Sequence, residues 1–217
     1  MPAEEGFARL RERMVERQLR ARDVEDERVL RAMGRVPREL FVLPELRGRA
    51  YDDAALPLPA EQTISQPFMV ARICEALTLR GHERVLDVGT GSGYQAAVLA
   101  ELAAEVATIE RIPELAELAR ANLAAAGYDR VDVHLGDGTL GLPERAPFHA
   151  IAVAAAVPEL PRTLYEQLEP RGRLVLPIGS RQAQELQVVV RSPEGPAVLR
   201  SVPCRFVPLV GEEGFAG

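Results

Sequence analysis

The run Val85-Leu86-Asp87-Val88-Gly89-Thr90-Gly91-Ser92-Gly93 decides how this chain is read. A short apolar strand leads into three glycines at alternate positions, and the apolar stretch 94–103 follows as a helix. Strand, glycine turn and helix, in that order, open a nucleotide-binding βαβ unit. The missing Cβ atoms let the chain turn sharply and let a ligand approach the backbone. The spacing then narrows the ligand. A dinucleotide fingerprint reads G-x-G-x-x-G, its third glycine placed so that a helix can begin on a pyrophosphate. Here the pattern is G-x-G-x-G, and Asp87 stands two residues before the first glycine. A carboxylate there is a poor neighbour for a pyrophosphate and a good one for an ammonium or a sulfonium.

Outward from the loop the alternation continues. Strands are predicted over 84–88, 106–110, 131–135, 148–154 and 173–177, with helices over 67–79, 113–126 and 158–168. Strands alternating with helices of this length predict a parallel sheet with helices on both faces. The tail reads as two more strands, 185–190 and 198–207, around the turn Ser192-Pro193-Glu194-Gly195, an antiparallel edge. At the other end, Phe7, Leu10, Met14 and Leu19 predict an amphipathic helix over 4–22. Val29, Leu30 and Met33 predict a short second one, stopped by Gly34 and Pro37. Residues 37–63, with four prolines, are expected to be an irregular segment with short strands or turns. The expected fold is α/β: a Rossmann-like, doubly wound, mostly parallel sheet with an antiparallel edge and N-terminal helices. One domain is expected over 1–217, with an N-terminal segment 1–65, a cofactor-binding core 66–180 and C-terminal strands 181–217.

Acids recur at the predicted strand ends. Glu110 closes the second core strand, where an acid can take two hydrogen bonds from a ribose diol. The third ends in Gly136-Asp137-Gly138, where Asp137 can accept from an exocyclic adenine amine. A cationic end, a ribose and an adenine together describe S-adenosylmethionine. The residues so assigned to it are Asp87, Gly89, Thr90, Gly91, Ser92, Gly93, Glu110, Asp137 and Gly138.

Composition removes other chemistries. All 26 basic residues of the 217 are Arg. Without Lys there is neither a Schiff-base amine nor a P-loop Lys. Three His (His82, His134, His149) and two Cys (Cys74, Cys204) lack metal-ligand spacing, so no metal is expected. A net charge of −6, and Arg interleaved with Asp and Glu over 9–49, speak against a nucleic-acid partner. The apolar run 150–157 is too short to span a bilayer, and 1–5 does not open a signal peptide. A reducing cytoplasm is the expected location, and a monomer the expected state.

Beyond the glycine loop, Thr63-Ile64-Ser65-Gln66-Pro67-Phe68-Met69-Val70-Ala71, Gly136-Asp137-Gly138-Thr139-Leu140-Gly141, Gly172-Arg173-Leu174-Val175-Leu176-Pro177-Ile178-Gly179 and the ending Arg205-Phe206-Val207-Pro208-Leu209-Val210-Gly211-Glu212-Glu213-Gly214-Phe215 closely resemble the protein-L-isoaspartate O-methyltransferase family, over about residues 10–215. The resemblance implies methylation of the free carboxylate of L-isoaspartyl, or D-aspartyl, residues in damaged proteins and peptides. It places Ile64, Ser65, Gln66 and Arg111 with the cofactor residues, and Leu58, Thr63, Ser65 and Val210 on the substrate side. It implies a catalytic-site role for Ser65, whose own sequence context, two residues before Pro67, reads as a helix N-cap. The chain departs from the family pattern at Pro59 and Glu61, where glycines are common, at His149 in place of Asp and at Ala154 in place of Thr.

The alternative within the same fold is a methyltransferase acting on a small molecule or RNA. Ala154-Ala155-Ala156-Val157-Pro158 lacks the amide or acid that would grip an amino group, and the negative charge disfavours RNA. A nicotinamide-dependent oxidoreductase fits neither the loop spacing nor Asp87. A non-catalytic module would have no need of an intact glycine loop with its acids and Ser65.

Overall fold

The computed structural model describes the backbone of residues 2–216 and the side chains of 6–199 and 202–216. The first helix shows how spacing sets local geometry. Phe7, Leu10 and Met14 follow an α-helical face, but Leu19 lies five residues beyond Met14 and would rotate off it at 3.6 residues per turn. Helix α1 (Pro2–Met14) therefore passes into a π-helical turn, Val15–Leu19, and a 3₁₀ turn, Arg20–Arg22. The wider turn returns Leu19 to the buried face, where it and Met14 are almost wholly buried. The single helix expected over 4–22 is thus three helical pieces. Helix α2 (Glu27–Arg35) is capped by Asp26, whose carboxylate accepts from the Arg28 N–H at 2.8 Å.

The region expected to be irregular contains 3₁₀ turns at Arg38–Leu40 and Pro44–Arg49. It also holds a two-stranded hairpin, β1 (Leu56–Pro57) with β2 (Thr63–Ile64). Arg38 is fully buried there, its Nε donating to the Ala50 carbonyl at 2.7 Å and its guanidinium 4.7 Å over the Tyr94 ring. Phe41 meets the same ring edge-on at 5.7 Å. Tyr94 opens the helix after the glycine loop, so the N-terminal segment is packed directly against the base of the site.

Helix α3 (Pro67–Leu77) then feeds β3 (Arg84–Val88), α4 (Tyr94–Ala100), β4 (Glu105–Glu110), α5 (Pro113–Ala125), β5 (Asp132–Leu135) and β6 (Phe148–Val153). Short α6 (Arg162–Glu166) precedes β7 (Leu168–Gly179), β8 (Gln184–Ser192) and β9 (Gly195–Cys204). The seven-stranded sheet has the order β5-β4-β3-β6-β7-β8-β9. Pairing is parallel from β5 to β7 and antiparallel from β7 to β9. Alternate residues of the central strands supply two core layers: Val85 and Val106 join one with the helices α2–α4, Leu86, Val88, Ala107 and Ile109 the other.

One expected helix is mostly absent. Helix 158–168 shrinks to α6, because Pro161 in a helix interior would remove a backbone donor and clash with the preceding turn; it stands at the N-cap instead. Leu168, fully buried, pairs with Phe148 and begins β7, which reaches Arg173↔Ala150 after a bulge. The fifth strand is therefore twelve residues rather than 173–177. The sheet order reverses between β3 and β6, and the loops following those two strands open the crevice in which α/β sheets bind ligands.

Candidate active site

Three glycines make the loop after β3 possible. Gly89, Gly91 and Gly93 have φ of +88°, +54° and +90°, which L side chains rarely adopt. At Gly93 there is a second reason, since a Cβ would lie 3.1 Å from Leu123 of α5. The loop is tied down from below. The Ile109 carbonyl accepts from the N–H groups of Gly89 at 3.0 Å and Thr90 at 3.3 Å, and Asn122 of α5 donates to the Ser92 carbonyl at 3.0 Å.

Asp87 does not face the cleft. It is fully buried beneath the loop, where Oδ1 accepts from Gln95 Nε2 at 2.7 Å and Oδ2 from Thr108 Oγ1 at 2.9 Å. Thr108 in turn shares a 2.6 Å hydrogen bond with Thr90 of the loop. Burial pushes the Asp87 carboxyl up to about 6, the two donors offsetting part of this and Glu110 adding to it. The direct contact with a cationic ligand expected from sequence is replaced by a supporting role, in which Asp87 holds α4 and β4 to the loop.

Glu110 is at the cleft wall and clamps the loop from the side. Its Oε2 accepts from the Gly91 N–H at 2.9 Å and its Oε1 from Ile112 N–H at 3.0 Å. Asp137 is occupied elsewhere. It caps the 3₁₀ turn Gly138–Leu140 through Thr139 N–H at 2.9 Å and Oγ1 at 2.7 Å, and accepts from Glu212 N–H at 2.8 Å. Burial alone would raise its pKa; the Glu212 and Thr139 donors together outweigh burial and hold it below the usual carboxylate range. Neither Asp137 nor Gly138 lines the cleft; a Cβ on Gly138 would strike Val88.

The C-terminal segment forms the opposite wall. Leu209 N–H donates to the Ala156 carbonyl at 2.7 Å, and Ala156 N–H to Val207 at 2.8 Å. Glu213 accepts from Thr163 N–H at 2.9 Å and Oγ1 at 2.6 Å, and Glu213 N–H donates to Thr139 Oγ1 at 3.1 Å. Gly211 lets this strap approach Asp137, whose carboxylate occupies the place of a Cβ. Val207, Pro208, Leu209 and Val210 thereby face the loop across the cleft.

Two clefts result. The first, about 750 Å³ and open to solvent, is lined by Thr63, Ile64, Ser65, Gly89, Thr90, Gly91, Ser92, Glu110, Arg111 and Val210 among the expected residues. Sequence reasoning missed Gln95, Ile112, Leu115, Ala155 and Leu209. Gln95 was findable as the one side-chain amide in Tyr94–Ala100; its Oε1 is buried and has no partner among the described residues. The second cleft, about 1210 Å³, adjoins the first through Thr63, Ser65, Ala154, Val207 and Pro208. Gln66 lines this second cleft, with its Nε2 2.7 Å from Asp53 Oδ1, rather than the first. Leu58 lines neither; it is buried, and a Cβ on Gly91 would meet it at 3.7 Å. Ser65 is not the cap of α3. The N-cap is Gln66, without a side-chain cap bond, and the Ser65 hydroxyl has no partner among the described residues.

The histidines lie away from both clefts. His149 Nδ1 accepts from Arg84 N–H at 3.0 Å, and His134 Nε2 lies 2.9 Å from Asp132. Among the described residues no group of three His, Cys, Asp or Glu is arranged to hold a metal, and no helix is long and apolar enough to cross a membrane.

A first cleft at the sheet's switch point, walled by a glycine loop, an acid and apolar side chains, suits an adenosyl ligand. Known proteins agree. A chain from Methanoculleus marisnigri named protein-L-isoaspartate O-methyltransferase is 51% identical over 209 residues, 96% of this chain and 95% of that one. A solved structure of the same name has a TM-score of 0.82 at 29% identity; the match covers 94% of this chain and 66% of that longer one. A Plasmodium falciparum structure described as an enzyme of this kind in complex with S-adenosyl-L-homocysteine has a TM-score of 0.79 at 25% identity, over 92% of this chain and 98% of that one. The sequence profile of the protein-L-isoaspartate (D-aspartate) O-methyltransferases matches residues 9–214, and with that span and those relatives the chain belongs to this family.

Proposed function

We propose that this protein transfers the methyl group of S-adenosylmethionine to the free carboxylate of L-isoaspartyl, or D-aspartyl, residues in proteins and peptides, and so starts their repair through a succinimide. The observation that carries this reading is the meeting of two clefts at Ser65. One has the walls an adenosyl ligand needs; the other is open to a peptide.

The chemistry asks little of the side chains. An acceptor carboxyl with a pKa near 4 is already ionised at neutral pH and needs no base. When bound, S-adenosylmethionine supplies a methyl group on a sulfonium, and as the carboxylate oxygen forms its bond to that carbon the sulfur leaves as a neutral thioether. The chain must hold the two reactants in line and exclude water. Glu110, with its two oxygens at the cleft wall, would hold the ribose hydroxyls. Ile64, Ile112 and Leu115 offer apolar surface to the adenine. Ser65, unengaged and common to both clefts, would donate to the acceptor carboxylate, and the Val210 backbone would meet the peptide. The backbone nitrogen of the following residue then attacks the ester carbonyl, methanol leaves with the nitrogen's proton, and the succinimide closes without further help. The same reading takes the protein as a monomer without nucleic acid in a reducing cytoplasm, in keeping with the net charge of −6 and the free Cys74 and Cys204.

Two variants separate binding from transfer. Glu110→Ala removes charge-assisted hydrogen bonds and is expected to weaken S-adenosylhomocysteine binding by about 10- to 100-fold, read by calorimetry. Ser65→Ala is expected to leave that affinity alone and to lower kcat by roughly tenfold. Unchanged affinity in the first variant, or full turnover in the second, would remove the assigned role.

A further inference from the structure

We infer, on the reading just given, that the second cleft contains a subsite for a second carboxylate on the acceptor, distinct from the one methylated, formed by Arg205 with Arg181. Both arginines line that cleft, and among the described residues no Asp or Glu does. This is unusual for a chain with 32 acids and 26 bases. Several arginines elsewhere are neutralised: Arg20, Arg22, Arg35, Arg49, Arg84 and Arg162 each lie within 3.3 Å of a carboxylate oxygen. Arg205 is exposed and has no such partner among the described residues. Its backbone is nonetheless fixed, because Gln184 brackets the next residue, accepting from Phe206 N–H at 2.7 Å and donating to its carbonyl at 3.2 Å.

Arg181 is positioned rather than neutralised. Its Nη2 donates to the Ala216 carbonyl at 3.0 Å and its guanidinium lies 5.2 Å from the Phe215 ring centroid. A carbonyl and a ring face orient a cation without cancelling its charge. One oriented guanidinium, on Arg181, and one without a partner, on Arg205, in a cleft with Met69 and Phe206 as apolar walls suit a carboxylate, which accepts planar N–H pairs. The carboxylate can come from an acidic side chain beside the isoaspartyl residue or from a nearby chain end.

Peptides distinguish these sources. Three isoaspartyl peptides are compared: one with neutral flanks and blocked ends, one with Glu flanks and blocked ends, and one with neutral flanks and a free C-terminal carboxylate two residues on. For the wild-type enzyme, kcat/KM for a peptide with the second carboxylate is expected to exceed that of the neutral one about fivefold, mostly through KM, and the excess shrinks at 0.5 M salt. Arg205→Ala brings the ratio close to one, Arg205→Lys keeps part of it, and Arg205→Glu favours a Lys-flanked peptide. A wild-type ratio near one with active neutral peptide overturns this inference alone. So does an equal loss on all peptides in Arg205→Ala, which would assign the arginine to the methylated carboxylate. Absence of methylation on every isoaspartyl peptide overturns the underlying reading as well.

Discussion

Asp87 and Glu110 end neighbouring strands, yet burial divides their tasks. Glu110 keeps its oxygens at the cleft wall, while Asp87 lies wholly beneath the loop with a carboxyl raised from 3.8 to about 6. The folded protein therefore holds that proton more tightly than the unfolded chain. Folding takes up a proton between about pH 4 and 6, and Asp87's contribution to stability falls as pH rises through that window, by on the order of 3 kcal/mol. Asp87→Asn keeps the shape and removes the titration. Denaturant unfolding of both proteins from pH 4 to 7 is expected to show the wild-type stability falling relative to the variant up to about pH 6 and level above it. A difference independent of pH would contradict the assignment. Taking the difference matters, because carboxyls held low, such as Asp132 and Asp137, lose stability in the opposite sense, as pH falls. Strand-end acids were legible in sequence as a set. Their separate orientations were not, because pointing into a cleft or under a loop depends on partners such as Thr108, Gln95 and Glu212 that belong to other elements.

At the scale of elements, the hairpin beside the site stores strain. Leu58 N–H donates to the Gln62 carbonyl at 2.8 Å and Gln62 N–H to Pro59 at 3.2 Å, so Ala60 and Glu61 form the centre of a two-residue turn. Both take left-handed φ, +55° and +58°, as a type I′ turn demands and as Asn-Gly does at lower cost. These positions lie within the stretch where the family pattern carries glycines. In this chain two residues with a Cβ take the left-handed conformation and bear its strain. Ala60→Asn with Glu61→Gly is expected to raise stability by about 1 kcal/mol, or roughly 2–4 °C in Tm, measured by thermal unfolding. No gain would show that the turn is relaxed. Elements with a clear period, β3, β4 and α5, were legible within a residue or two. Short strands or turns were expected over 37–63, but the hairpin's position and pairing were hidden by its prolines, and β7 by the helix-like run before it, because pairing of Leu168 with Phe148 is a long-range choice that local pattern does not carry.

At the scale of the whole molecule, a parallel sheet places the loop after β3 and the Ala154–Ala155 turn after β6 side by side, and the strap 207–215 crosses them from the far end of the chain. That strap is why the cleft has a second wall. The sequence placed Val210 near the substrate only through family likeness, since nothing local says that it returns to β6. Arg205 and Arg181, in the same C-terminal region, carry the cleft's charge. The account as a whole rests on methyl transfer to an isoaspartyl carboxylate. It is tested most directly by incubating the protein with S-adenosylmethionine labelled in the methyl group and a matched pair of peptides that differ only in an isoaspartyl or an aspartyl residue. Base-labile label on the isoaspartyl peptide alone is the predicted result; no label on it, or equal label on both, would contradict the account.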